Sequence, residues 1–273
     1  MQSRQTLIDD INSAQVPLGH CNFWWLGQHS FVVKVGRSIC YLDPYLTPSP
    51  SRQVPPLLLP EDLANATVIL GTHDHGDHID RPAWPVIAAA APDATFVVPY
   101  LLQQRLVREL NLPSQRVRGV DQGITIQVGD VTITAIPAAH EFLDTDPATG
   151  HHPYLGYIIE GNRFRLYHAG DTCIYEGMQG LLRRWPLDLA FLPINGRDAK
   201  RLKANCIGNM TYQEAVDLAG VIKPGLTVPT HFEMFAMNSE NPQLFVDYMA
   251  AKYPTLRTVI PTHGHRTIVQ RIS

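Results

Sequence analysis

The run Thr72-His73-Asp74-His75-Gly76-Asp77-His78 places three histidines and two aspartates within six consecutive residues. Imidazole nitrogen and carboxylate oxygen are the donors that divalent zinc, manganese or iron accept. The cluster follows the apolar run Ala66–Leu70, which reads as a short buried strand. A continuing strand would send His75 to one face and Asp77 and His78 round to others, whereas a tight turn through Gly76 can gather them about one point. Farther along the chain, three apolar or β-branched runs each end shortly before a histidine or an aspartate. His140 follows Val131–Ile136, Asp171 follows Phe164–His168, and His231 follows Leu226–Pro229. Loops at strand ends carry function on a rigid frame. Two ambiguities remain at this level. Gly170-Asp171-Thr172 is also ordinary turn chemistry, and His263, like His231, follows a Pro-Thr dipeptide.

Other residues could support such a centre. Asp43 ends a run and precedes Pro44, so it either starts a turn or orients a ligating histidine. Glu141, next to His140, has the same two readings. Arg197, Lys200, Arg201 and Lys203 put four basic side chains into one segment, either a solvated loop or a grip for an anionic substrate through charge-assisted hydrogen bonds. His20, His29, His151 and His152 sit in or beside loops, and His168 lies in a strand as a hydrogen-bonded or ligand-supporting residue. His263 and His265 read as rim or turn residues. Cys173, two residues past Asp171, reads as packed rather than reactive.

The elements that must hold these residues can be outlined. Ile8–Ala14 reads as a short helix, and Asn22–Leu26, Phe31–Val35 and Ser38–Leu42 as strands separated by glycine turns. Tyr45–Pro60 contains five prolines and must be a loop. Pro82–Ala91 and Leu101–Leu110 suggest helices around a strand at Thr95–Val98. Strands are expected at Val117–Val120, Thr125–Val128, Val131–Ile136, Tyr154–Glu160, Phe164–His168, Leu187–Leu192, Leu226–Pro229, Thr258–Ile260 and Thr267–Gln270. Helices are expected at Tyr212–Ile222, with Thr211 as N-cap, and at Pro242–Lys252. This pattern implies two sheets packed together and covered by helices, an α/β (α+β) arrangement. No linker separates independent domains, so residues 1–273 are expected to form one.

Composition narrows the function classes. The 273 residues are 45% hydrophobic, enough for a full core. A formal net charge of −3 gives no reason to expect nucleic acid or an anionic membrane as partner. The polar start, MQSRQTLIDDINSAQ, lacks an apolar signal region, and the apolar stretch near Val86–Ala91 is too short to span a bilayer. The four cysteines form no CxxC pair. Together these lead us to expect a cytoplasmic protein with reduced thiols.

His73-x-His75-x-Asp77-His78 resembles the HxHxDH metal-binding signature of the metallo-β-lactamase superfamily. Trp24-Trp25-Leu26-Gly27, Leu42-Asp43-Pro44, Ala138-Ala139-His140-Glu141, Tyr167-His168-Ala169-Gly170-Asp171-Thr172 and Pro229-Thr230-His231 follow in that family's order, so the resemblance spans nearly the whole chain. Asp188–Leu192 and Asn209-Met210-Thr211 with the helix after it are similar to the L-ascorbate 6-phosphate lactonase branch. The resemblance implies an αββα sandwich of two mixed β-sheets flanked by helices, with metals in a groove at the top of the sheets. It implies two divalent ions (zinc, manganese or iron). His73, His75 and His140 would hold one, Asp77, His78 and His231 the other, and Asp171 would bridge. It also favours His231 over His263. Asp77, Asp171 and His231 are the candidates for proton handling. The activity expected is hydrolysis by metal-activated water, with a lactone of a small anionic sugar phosphate as substrate and Arg197, Arg201 and Lys203 as its contacts. A phosphodiesterase and a noncatalytic metal sensor are the alternatives. The expected partner is a small molecule, neither nucleic acid nor membrane, and a homo-oligomer is compatible with the sequence.

Overall fold

The computed structural model describes residues 3–272; residues 1, 2 and 273 of the single-domain expectation lie outside them. The first sheet has seven strands in the order β13-β1-β2-β3-β4-β5-β6. These are β1 (His20–Gly27), β2 (Ser30–Val35), β3 (Ser38–Leu42), β4 (Val68–Leu70), β5 (Thr95–Pro99), β6 (Val117–Val120) and β13 (Arg266–Gln270). The second has six, in the order β12-β11-β10-β9-β8-β7. They are β7 (Thr125–Val128), β8 (Val131–Pro137), β9 (Leu155–Gly161), β10 (Phe164–His168), β11 (Leu189–Pro193) and β12 (Thr227–Thr230).

Side-chain alternation explains the layers. Along β1, Cys21, Phe23 and Trp25 join the core shared by the sheets, while Trp24 and Leu26 join a second cluster on the other face. β2 and β3 repeat this, with Phe31, Val33, Val35, Cys40 and Leu42 inward and Val32, Ile39 and Tyr41 outward. A sheet buried on both faces needs near-continuous apolar strands, and these runs supply them. The outer cluster is closed by α1 (Arg4–Ser13), α2 (Trp84–Ala90) and α3 (Tyr100–Glu109), through Leu7, Ile11, Trp84, Ile87, Leu102 and Leu106. Beyond the second sheet lie α4 (Met178–Leu182), α6 (Tyr212–Ile222) and α7 (Pro242–Lys252). Their residues Leu182, Leu218 and Phe245 belong to the shared core. The result is the αββα sandwich.

Most expected elements form within a residue or two. Thr211 caps α6 in a reciprocal box with Glu214. The proline-rich segment is irregular until a 3-10 turn at Pro60–Asn65. Two expectations change. Thr258–Ile260 contributes one bridge, Thr227 to Thr258, rather than a strand. The basic segment contains a short helix, α5 (Ala199–Lys203), capped by Asp198. The short helix α4 was not anticipated. Among the described residues, no helix is long and apolar enough to cross a membrane.

Strand sense positions the site. β8 and β10 are both antiparallel to β9, and β11 and β12 are parallel to β10. The loops after β8, β10, β11 and β12 therefore leave the second sheet at the same edge.

Candidate metal centre

The loop after β4 folds back at once. His78 and Ile79 both donate backbone N–H to the His75 carbonyl, at 3.0 and 2.8 Å. Gly71 makes the tight start possible, because a Cβ there would stand 2.8 Å from Ile79 and 3.1 Å from Trp84. Asp80 fixes the far side by accepting from the Leu46 and Thr47 amides, each at 2.7 Å, which also pins the proline-rich loop. Asp74 turns outward to ion-pair with Arg81 and Arg105. The turn thus leaves His73, His75, Asp77 and His78 facing the loops from the second sheet.

Two donor groups result. His73, His75, His140 and Asp171 offer atoms that all lie within 4.8 Å of one another, and Asp77, His78 and His231 do the same. Asp171 stands between them: its carboxylate oxygens lie 3.1 Å from His231 Nε2, 3.4 Å from His78 Nε2 and 3.9 Å from His140 Nε2. His73, His78, His140, Asp171 and His231 are buried, while His75 and Asp77 are partly open to solvent. All seven residues expected at the centre converge.

The electrostatics suit a cation. Burial pushes the His73 and His75 imidazoles down and takes His140 to about 4, so their lone pairs are free at neutral pH. Burial would also lower His78, but Asp171, Asp77 and Asp43 together outweigh it and hold this imidazole well above its ordinary value. Burial would raise Asp171, yet His231 and His78 keep it ionised, well below the carboxylate range. His78 Nε2, Asp171 Oδ1 and His140 Nδ1 are buried without a hydrogen-bond partner. Buried polar atoms are ordinarily paired. Two of these three, His78 Nε2 and Asp171 Oδ1, lie between the donor groups, so the residues fit a metal.

Behind the second group stands a polar scaffold. His78 Nδ1 donates to Asp43 Oδ2 at 2.9 Å, and His168 Nε2 donates to the same oxygen at 2.9 Å. The Thr72 amide and hydroxyl complete the carboxylate's partners at 2.8 and 2.9 Å. Burial would raise Asp43, but His78 and His168 overcome it, and the group stays ionised. A carboxylate can only accept, so it fixes a proton on His78 Nδ1 and points Nε2 at Asp77 and Asp171. Asp43 and His168 thus take the supporting places foreseen for them.

Three neighbours were not foreseen. Gln28 is buried in a left-handed turn (φ 54) with its amide nitrogen 3.1 Å from Asp77 Oδ2 and 3.0 Å from His231 Nε2. The next residue, His29, is buried with neither ring nitrogen partnered, its ring centroid 4.3 Å from that of His168. Trp24-Trp25-Leu26-Gly27 stops one residue short of both. The Tyr154 ring packs 5.6 Å from His73 and 5.3 Å from His140. Its position at the start of a strand gave no sign of this.

Other expected residues are placed elsewhere. Glu141 is exposed, and no hydrogen bond joins it to the His140 ring. Arg197 grips Glu214 with two bonds, at 2.6 and 2.7 Å, and also donates to the Asn209 carbonyl. Arg201 is held by Asp198 and by the Met237 and Ser239 carbonyls. Each guanidinium is engaged by groups of the chain itself, and Lys203 is exposed at the end of α5. His263 stacks on Trp25 at 4.0 Å and belongs to neither donor group. His151 and His152 both bind Asp121.

Two cavities flank the centre. One of about 180 Å³ lies beside Glu141, Arg197, Leu202, Cys206 and Ile207. Another of about 350 Å³ lies on the Asp77 side, lined in part by Tyr45, Ile79, Pro82 and Phe235.

Comparison with known proteins agrees with this geometry. The family described as "Beta-lactamase superfamily domain" matches residues 40–232. A "UPF0173 metal-dependent hydrolase" of Thermococcus onnurineus is 33% identical over 222 residues, which are 81% of this chain and 88% of the relative. Igni18, a metallo hydrolase from the hyperthermophilic archaeon Ignicoccus hospitalis, superposes with a TM-score of 0.72 at 21% identity, covering 91% of this chain and 98% of its own. A possible metal-dependent hydrolase from Veillonella parvula gives 0.72 at 14% identity, covering 93% and 99%. This chain belongs to the metallo-β-lactamase superfamily of metal-dependent hydrolases, within the UPF0173 family.

Proposed function

We propose that the chain binds two divalent cations and uses them to hydrolyse a lactone or related carboxylic ester. The observation that carries this reading is Asp171 standing between two donor groups, since a carboxylate shared by both cations is how a two-metal hydrolytic centre is kept together. His73, His75 and His140 would hold one cation, Asp77, His78 and His231 the other, and Asp171 would serve both. The all-nitrogen-and-oxygen donor set accepts zinc, manganese or iron. The bound ions supply Lewis acidity, which acidifies a water molecule and polarises the bond to be broken. Asp77, partly open to solvent, would accept the proton released from the water and pass the same proton to the leaving group. His231, close to both Asp77 and Asp171, stands on the side where that transfer would occur. Asp43 keeps His78 in the tautomer that leaves Nε2 free. No serine or cysteine nucleophile is needed, and Cys173, with its thiol pushed up by burial, is not one.

The phosphate part of the ascorbate-phosphate reading loses its support with Arg197 and Arg201 internally paired; the ester part does not depend on them. The test is a panel of lactones, phosphomonoesters and phosphodiesters with protein loaded in turn with zinc, manganese and iron, alongside elemental analysis. Ester turnover that chelator removes, with two metals per chain, is the expected result. Turnover confined to phosphodiesters would replace the reaction class, and metal binding with no turnover of any ester would make the chain a sensor.

A further inference from the structure

Large exposed apolar side chains lie on the loops that carry or adjoin the donors. Phe142 (67% exposed) and Leu143 follow His140, Leu202 (61%) and Ile207 lie in the segment after β11, and Met237 follows His231. Backbone contacts join these loops to the centre. The Cys173 amide donates to the Ala139 carbonyl at 2.7 Å, and the Met210 amide to the Thr172 carbonyl at 2.9 Å. Arg201 binds the Met237 carbonyl at 3.0 Å, tying the loop after His231 to α5. Between them lies the cavity of about 180 Å³ with Leu202 and Ile207 in its wall.

The two guanidiniums near this cavity are each paired. Arg197 is neutralised by Glu214 and Arg201 by Asp198. Glu141 in the wall has no cationic partner among the described ion pairs. An entering anion would meet the Glu141 carboxylate, while the Arg197 and Arg201 guanidiniums are already engaged; an apolar group would cover Leu202 and Ile207. Isolated exposed leucines are common on soluble proteins, but Leu202 and Ile207 share one cavity wall with Glu141, the neighbour of His140, and apolar side chains beside a polar centre suit a binding surface.

We propose that this cavity receives a nonpolar alkyl or aryl group attached to the reacting bond, so that the substrate is an uncharged, apolar ester or lactone. The inference rests on the hydrolytic reading above, because it places the reacting bond at the metal centre. The test uses n-alkyl hydroxamates, from acetyl to octanoyl, as metal-seeking, unreactive ligands of the metal-loaded protein, with Kd measured by calorimetry. Affinity is expected to rise about three- to fourfold per methylene over the first members and then to level off. Leu202→Asn and Ile207→Asn should each flatten that slope, with melting temperature and metal content reporting that the variants are intact. A series independent of length in the wild type, or a slope that neither variant changes, overturns the inference. Ester hydrolysis with a flat series leaves the reaction standing and removes the apolar substrate; a steep series without hydrolysis does the reverse. A dimer seen by light scattering, which Leu202→Asn dissociates while the slope persists, would assign the cavity to a second copy of the chain instead.

Discussion

The donor groups on either side of Asp171 differ in what stands behind them. Behind Asp77, His78 and His231 stand Asp43, which accepts from His78 Nδ1, and the Gln28 amide nitrogen, which lies 3.1 Å from Asp77 Oδ2 and 3.0 Å from His231 Nε2. In the other group His73 meets the Thr72 hydroxyl at 3.1 Å and His75 at 2.9 Å, but His140 Nδ1 is unpartnered and no carboxylate stands behind these rings as Asp43 does behind His78. The second group, that of Asp77, His78 and His231, is therefore the more firmly held before any cation arrives. A prebuilt site loses little order on binding, so the second group should hold its ion more tightly. The weaker half is the one that borders the apolar cavity.

The severest way to break this contrast is to remove what the halves share. Asp171→Asn should lower turnover by more than about a hundredfold and reduce metal content at both positions; retention of two tightly held ions would show that Asp171 does not bridge. Next comes the choice between two look-alike histidines. His231→Ala should cost the second ion, whereas His263→Ala should lower the melting temperature through the lost Trp25 stacking and leave metal content intact. An exchange of those outcomes in elemental analysis would reassign the ligand.

The contrast itself is sharpened at Asp43. Asp43→Asn should weaken one ion of the two by about ten- to a hundredfold, since a neutral amide no longer enforces the His78 tautomer. Chelator titration would show one site moved and the other unchanged; equal weakening of both would mean that the halves are not independently supported. Acidification probes the same groups in the metal-free protein. His73, His75 and His140 have folded values below those of the unfolded chain, so the unfolded state takes up protons that the folded site refuses. Their contribution is present at neutral pH and is lost as pH falls from about 6.5 towards the His140 value of about 4. His78, held high, acts in the opposite sense, and its contribution fades as pH rises through its folded value. With three groups against one, the melting temperature should fall between pH 7 and 4.5, and a flat profile would contradict the directions given. The smallest effect is expected at Arg197→Ala, whose partly exposed ion pair with Glu214 contributes at most about 1 kcal/mol. A rise in KM for phosphorylated lactones alone would restore the anion-binding reading of that segment.

The sequence was most legible where chemistry is local. Residues 73–78 carry both their donors and the glycine that turns them, and alternation along β1 to β3 exposes the buried faces. His140, Asp171 and His231 were identified by the family resemblance, which also ranked His231 above His263; their places just after strands agree with it. What escaped was set by distant partners. Gln28 gains its role from Asp77 and His231, far along the chain, and no pattern at residue 28 announces it. The pairing within the basic segment escaped for the same reason. Arg197 and Arg201 look free in one dimension, and their partners Glu214, Met237 and Ser239 become neighbours only when the loops fold together.

The centre also has a kinetic meaning for the chain. His73–His78 leave the first sheet, while His140, Asp171 and His231 leave the second, so a cation pair clamped among them rivets one sheet to the other. A growing polypeptide cannot complete that rivet until residue 231 has emerged and both sheets have docked. Bound metal should consequently leave the folding limb of a chevron nearly where it was and depress the unfolding limb. The ions would then set how long the native sandwich lasts, rather than how fast it is reached.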